Sequence, residues 1–284
     1  MYIVFDNMHD MSSPVIAKIQ LGRAMRRLRD DAGKSRDEAA SALDCDVSKI
    51  SRIEQGKGSL KTLEVEALLW LYEAPDLRDQ LVETARLARK RTAYQVPPWQ
   101  RDFVGMEAEA RTILEYQPEV VPALLQTERY ARAVLAADPR RAPAEVDRYV
   151  GGRLARQQRL AEEVPPRLRM VLSEGAIRRS VGGPAVHREQ LLWLRKFAER
   201  PSVDLRVLPF SAGAHAAMGI GFVVLELPDP EVRIGYVETL DSADYLTEPA
   251  QLDRYAELFE RLFDSAADAE QTAALCAEVI GQLD

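Results

Sequence analysis

Cysteine and histidine are scarce in this 284-residue chain: two cysteines, Cys45 and Cys276, and three histidines, His9, His187 and His215. Cysteines so few and so far apart exclude a disulfide framework and make a reducing cytosol the default setting. The same scarcity and scatter leave no zinc-ligand spacing. No apolar run approaches the roughly 20 residues that a membrane span needs. Met1 to Phe5 are apolar, but Asp6 and Asp10 follow and a basic leader is missing, so no signal peptide is expected. Residues 1–17 read as a flexible lead-in. Phosphate loops, nucleophile elbows and metal motifs are absent from the sequence, as are repeats and low-complexity segments. We therefore expect no cofactor, no metal, no contact with a membrane and a cytoplasmic location.

What is present is an ordinary globular composition, 46% hydrophobic and 29% charged, in a chain long enough for two cores. The net charge of −7 argues against nonspecific coating of nucleic acid, but its distribution points the other way. Residues 18–61 hold eleven Lys and Arg against seven Asp and Glu, about +4, which leaves about −11 for the rest. A basic patch on an acidic molecule is an electrostatic footprint of nucleic-acid binding.

Within that basic stretch the apolar residues Ile19, Leu21, Ala24, Met25 and Leu28 recur at helical spacing, and Gly33 ends the pattern. Ser35 and Glu38 have the spacing of a capping box opening a short second helix, with Ala39, Ala40 and Leu43 inward. Asp44 to Val47 form the turn. Ser48 is the expected N-cap of a third helix, Lys49 to Gln55, whose Ile50 and Ile53 face inward while Lys49, Ser51 and Arg52 face outward. Thr62 is the expected cap of a fourth helix, and a fifth runs from Pro75 to Lys90. Two short helices joined by a tight turn, the second with a positive outer face, suit insertion into the DNA major groove. Lys49, Ser51 and Arg52 then reach base edges, and Ser35 and Arg36 hold phosphates. Ser48 and Lys57 complete the expected contact set.

The run from Leu28 to Gly33, then Ser35 to Ala40, and above all Val47 to Lys57 resembles the Cro/repressor-type (XRE) helix-turn-helix family. The resemblance implies an ion pair between Glu54 and an arginine of the first helix, Arg26 or Arg29. It departs at Asp44, where glycine is frequent; Asp tolerates left-handed geometry better than most residues.

Pro97, Pro98 and Trp99 break the helical pattern, so the first domain is set at 18–90, a linker at 91–102 and a second domain at 103–284. In the second domain, helices are read at Phe103–Tyr116, Leu124–Ala136, Glu145–Glu163, Glu174–Ser180, His187–Glu199, Glu248–Phe263 and Asp268–Gln282. Alternation marks strands at Arg167–Leu172 and Val203–Leu208, and an antiparallel pair at Gly219–Leu227 and Val232–Glu238. The expected fold class is mainly α: a five-helix helix-turn-helix domain, then an α+β domain with a small, largely antiparallel sheet.

From about Gly105 onward the chain resembles the C-terminal domain of WhiJ-like, antitoxin-like regulators of actinobacteria. The residues that carry this are Val121 to Ala131, Arg153 to Gln158, Val181-Gly182-Gly183, Val207 to Phe210 with Ala214-His215, and Tyr236-Val237-Glu238. The resemblance implies a repressor-like regulator, often encoded beside a small protein whose activity it opposes.

Glu174, His215 and Glu238 each lie near the end of a predicted strand, but acid–base work requires convergence, and no motif supports it, so catalysis is not expected. His215 is expected to cap a loop or satisfy a buried carbonyl. Arg153, Arg156 and Arg159 form one stripe, expected to be salt-bridged at i, i+3 or i+4 rather than to make a second nucleic-acid surface. The function expected is a sequence-specific DNA-binding regulator that binds an operator in double-stranded DNA as a homodimer. Its C-terminal domain would be controlled by a small protein partner or a ligand. The alternative is an antitoxin-like protein that chiefly sequesters a small partner and binds DNA as autoregulation.

Overall fold

Helices account for all the regular structure described in the first of the chain's two units, residues 1–93, while the second, residues 94–284, is built on a sheet. The computed structural model describes residues 14–90, 96–228 and 232–283; residues 1–13 of the expected lead-in lie outside them, while Pro14 to Ala17, read as its end, open the first helix.

Among the described residues the first unit has five α-helices: α1 (Pro14–Asp31), α2 (Arg36–Ala42), α3 (Val47–Glu54), α4 (Thr62–Leu71) and α5 (Arg78–Ala88). Their core gathers Leu21, Met25 and Leu28 of α1, Ala39 and Ala40 of α2, Ile50 and Ile53 of α3, and Val65, Leu68 and Leu69 of α4. The expected capping box opens α2: Ser35 Oγ accepts from the Glu38 amide at 3.1 Å, and Glu38 Oε2 accepts from the Ser35 amide at 2.8 Å. Asp44 turns the chain with φ of 48°, doing the left-handed work of a glycine.

Two caps differ from expectation. Asp46, not Ser48, caps α3, its Oδ1 accepting from the Ser48 amide at 2.7 Å. A carboxylate there also complements the positive end of the helix. Thr62 is the first helical residue of α4, and the cap position falls to Lys61, whose amide donates to Glu64 Oε2 at 2.7 Å. Helix α5 is preceded by a separate 3-10 turn, Pro75–Leu77. One glycine fixes how close α1 and α3 lie: a Cβ on Gly22 would sit 2.2 Å from the Ile53 carbonyl oxygen.

The second unit opens with α6 (Arg101–Glu107) and β1 (Thr112–Gln117). It continues with α7 (Glu128–Ala136), α8 (Pro143–Gln157), β2 (Arg167–Ser173), α9 (Glu174–Arg178), α10 (Pro184–Ala198) and β3 (Val203–Leu208). Then come β4 (Phe222–Glu226), β5 (Arg233–Glu238), β6 (Ala243–Leu246), α11 (Pro249–Ser265) and α12 (Ala269–Gly281). The six strands form one sheet in the order β3-β2-β1-β4-β5-β6.

The sheet is mixed, which corrects the expectation of a largely antiparallel one. β1, β2 and β3 run parallel, whereas β1–β4, β4–β5 and β5–β6 are antiparallel. The reason lies in the connections. Helices α7 and α8 intervene between β1 and β2, and α9 and α10 between β2 and β3, and long helical crossovers return the chain parallel. The central strand β1 replaces the second half of the helix expected over Phe103–Tyr116. Ile113 to Tyr116 are all buried, so no alternation marks them, and a buried apolar run does not tell strand from helix. Alternate β1 residues face opposite sides. Leu114 and Tyr116 pack with Phe259, Leu262 and Phe263 of α11. Ile113 and Glu115 point to the other face.

Among the described residues, no helix is long and apolar enough to cross a membrane, and no group of three or more His, Cys, Asp or Glu side chains is placed to hold a metal.

Candidate nucleic-acid interface

Helix α3 has a buried side and an outer side. Ile50, Ile53 and Glu54 are buried, Ser48, Arg52 and Gln55 are exposed, and Lys49 and Ser51 are half-exposed. The outer side is that read from the sequence.

The buried side is held by charge as well as by apolar packing. Glu54, whose side chain is 2% exposed, takes Arg29 Nε on Oε1 at 2.5 Å and Arg29 Nη2 on Oε2 at 3.2 Å. Arg36 Nε donates to the same Oε2 at 2.8 Å. The last turn of α1, the first residue of α2 and the end of α3 therefore share one carboxylate. Burial alone would raise the Glu54 carboxyl, but hydrogen bonds from the two arginines outweigh it and hold the group below its ordinary value. Arg29 also donates to the Lys34 carbonyl at 2.9 Å, which fixes the chain as it leaves α1. The partner of Glu54 in the first helix is thus Arg29; Arg26 lies on an exposed surface with Asp30 at 3.9 Å.

The sequence-expected contact residues divide into three groups. Arg52 and Lys57 are exposed and form no ion pair among the described residues. Ser35, Arg36 and Lys49 have protein partners already. Ser35 caps α2, and Arg36 spends its Nε on Glu54 while its side chain stays 41% exposed. Lys49 Nζ lies 2.5 Å from Glu64 Oε1, across to α4. That bond raises the Lys49 ammonium, while burial works against it. Sequence spacing alone did not reveal Glu64, because its tie to Lys49 joins two helices. Ser48 is exposed, and Ser51 Oγ accepts from Gln55 at 3.2 Å on the same face.

In the second unit, Glu174, His215 and Glu238 are joined by no hydrogen bond among the described residues. Glu174 accepts from Arg178 Nε at 2.6 Å and from the Phe210 amide at 2.6 Å. His215 Nε2 lies 3.4 Å from the Tyr116 hydroxyl, so its partner is a side chain rather than a carbonyl. Glu238 accepts from Trp99 Nε1 at 3.0 Å and Gln100 Nε2 at 2.5 Å.

The arginine stripe is also placed differently from expectation. Arg156 makes a two-pronged pair with Glu107 on α6, at 2.7 and 2.6 Å. Arg159 donates to the carbonyls of Glu107 and Ala110, and Arg153 to Gln126 Oε1. None of these partners lies three or four residues away. The stripe is the inward face of α8 and its extension, packed over the start of the unit.

Comparison with known proteins adds two matches. Residues 20–81 match the model of a family described as "Helix-turn-helix domain". Residues 100–278 match that of a family described as "Domain of unknown function (DUF5753)". No curated protein and no solved structure matches the chain.

Proposed function

The chain belongs to the DUF5753 family, and from that premise we propose that it is a sequence-specific transcription regulator whose helix-turn-helix domain reads an operator. The helix-turn-helix match supports a DNA-binding regulator. The observation that carries the finer reading is the pair of faces on α3. Its inner face is anchored through Glu54 to two other helices, and its outer face offers Ser48, Ser51 and an uncommitted Arg52. A rigid mount with a free cationic tip is what groove reading requires.

In this reading Arg52, Ser51 and Ser48 approach base edges, and Ser35, Arg36 and Lys57 hold phosphates. Lys49 joins them by exchanging Glu64 for a phosphate or a base. One domain presents one such helix, so two half-sites about 34 Å apart call for a homodimer on a near-palindromic operator. The second unit then serves dimerisation and control, as the likeness to XRE and WhiJ-like repressor regulators implies. The protein works in the cytoplasm without catalysing a reaction, and a ligand or small protein partner sets its DNA affinity.

The experiment is a mobility shift with DNA from upstream of the protein's own gene, against random competitor at fixed salt. Competitor-resistant binding that Arg52→Ala removes is the expected result. Weak, salt-sensitive binding that any DNA displaces would overturn it and move the main role to sequestering a small partner.

A further inference from the structure

Strands β3 and β4 are joined by residues 209–221, whose one regular piece is a 3-10 turn, Phe210–Ala212. Connections of this length with so little structure of their own are uncommon and mostly functional. The composition is unusual as well. In a chain that is 29% charged, this stretch holds no Asp, Glu, Lys or Arg. Its one ionisable side chain, His215, is half-buried against the Tyr116 hydroxyl. Most of the rest faces water: Phe210 and Met218 are each 64% exposed and Ile220 46%, with Ala212, Ala214 and Ala216 exposed between them. A contiguous apolar surface of this kind marks an interaction site.

The loop is fixed at several points. The Phe210 amide donates to Glu174 Oε2 at 2.6 Å, the Gly213 amide to the Phe210 carbonyl at 3.1 Å, and the Ile220 amide to the Ala217 carbonyl at 3.2 Å. Ala217 is fully buried in the cluster that holds Phe222 and Phe259. The two ends of the loop meet at Pro118. A Cβ on Gly175 would lie 3.4 Å from the Pro118 carbonyl oxygen and 3.8 Å from Cε1 of Phe210, and a Cβ on Gly221 would lie 3.2 Å from Pro118 Cδ. A surface already ordered loses little freedom when it is covered.

Charge selects what covers it. The chain carries −7 overall and about −11 outside residues 18–61, so copies of it repel one another. A two-fold interface sets a patch against its own image. An acidic patch would meet acid, whereas this one meets an uncharged apolar surface. Its border suits the same symmetry. Glu119, next to Pro118, pairs with Arg179, and both side chains stay exposed. A border of both signs can face its image with opposite charges opposed. Aromatic residues and Met are also the types enriched at interface centres.

We propose that the 209–221 loop is the centre of a homodimer interface, in which Phe210, Met218 and Ile220 pack against the same loop of a second copy. The proposal rests on the homodimer reading and supplies the surface that makes the dimer. Glu119 and Arg179 then form its polar rim, exchanging partners across the two-fold axis.

The test is sedimentation equilibrium of the full chain, without DNA, over a wide range of concentration. Wild type is expected to sediment as two copies. Met218→Glu sets an unpaired charge in the interface and should raise the dimer dissociation constant at least about tenfold, with the far-ultraviolet circular dichroism unchanged. Ile220→Lys should do the same, and it carries the test should Met218→Glu not fold. Mixing the two variants brings opposite charges together and should restore dimers; failure to restore them overturns the direct contact. Val164→Glu is the control. Val164 is 83% exposed and precedes β2, and β2 and β3 run parallel, so it lies at the end of the sheet opposite the loop. This variant should remain dimeric, and equal dissociation by it overturns the assignment. A dimer that survives both Met218→Glu and Ile220→Lys overturns the surface and leaves the homodimer reading standing. A monomeric wild type overturns both.

Discussion

Arg29 and Glu54 meet across 25 positions of sequence, Nε to Oε1 at 2.5 Å, with side chains 9% and 2% exposed. The pair ties the end of α1 to the end of α3, and Arg36 adds the start of α2. Removing one member of a buried pair leaves the other charge stranded, at a cost of about 3–5 kcal/mol. Glu54→Ala is therefore expected to lower unfolding stability by that amount in a denaturant titration; a loss below about 1 kcal/mol would discard the clamp. The folded carboxyl sits below its ordinary value of 4.5. The contribution is thus complete above that value and is lost as pH falls through the folded one. Wild type and Glu54→Gln should converge in acid.

Arg52 is exposed and holds no partner among the described residues, so Arg52→Ala should leave the melting temperature unchanged. Specific affinity should fall by roughly 10- to 100-fold, the usual range for losing a base contact. Lys57→Ala should instead weaken all DNA sequences alike and reduce the salt slope by about one. Anisotropy titrations on operator and random DNA at two salt concentrations separate the two patterns. Equal losses on both DNAs for Arg52→Ala would demote it to a phosphate contact.

Lys49 is tethered 2.5 Å from Glu64, and Glu64 also accepts from the Lys61 amide. Glu64→Gln keeps an acceptor for that amide while releasing the ammonium. DNA binding should tighten a few-fold and the salt slope should steepen by about one. Looser binding by this variant would mean that the tether positions Lys49 productively.

Glu115 lies on the face of β1 opposite α11, near the charges of Glu107, Arg156 and Glu238, and hydrogen-bonds to Gln117 at 2.9 Å. Burial pushes its carboxyl up to about 7, partly opposed by the Gln117 bond. A raised value means that the folded state holds its proton longer than the unfolded chain. Stability from this group is full below about 4.5 and declines until about 7. Glu115→Gln should therefore gain on wild type between about pH 5 and about pH 8, by up to ~3 kcal/mol. A constant difference across that range in paired unfolding curves would refute the assignment.

Much of the first unit was legible because its signals are local. The capping box of Ser35 and Glu38 spans one turn, and Asp44 announces a left-handed corner by its residue type. The outer face of α3 follows from Ile50 and Ile53 three apart. The second unit was harder for matching reasons. β1 is covered on both faces, so its pattern carries no period, and β6 is a short edge strand with little burial to impose one. The inward turn of Arg153, Arg156 and Arg159 was hidden because their partners, Glu107, Ala110 and Gln126, sit 27 to 52 positions upstream. A helical stripe of arginines looks the same in sequence whether it faces water or a distant carboxylate.

The place of β1 in the sheet also sets an order of events during synthesis. Thr112 is paired on one edge with Arg167 and on the other with Glu226. The strand must therefore wait, bound on neither side and then on one, until most of the polypeptide has left the ribosome. The five helices of the first unit, α1 to α5, find all their packing partners before β1 is made, and local topologies assemble orders of magnitude faster than distant strand pairings. A nascent molecule thus acquires its helix-turn-helix before the sheet behind it can be completed. A translation arrest or proteolytic truncation within residues 118–221 would leave that module folded and the sheet unfinished, its central strand without β4.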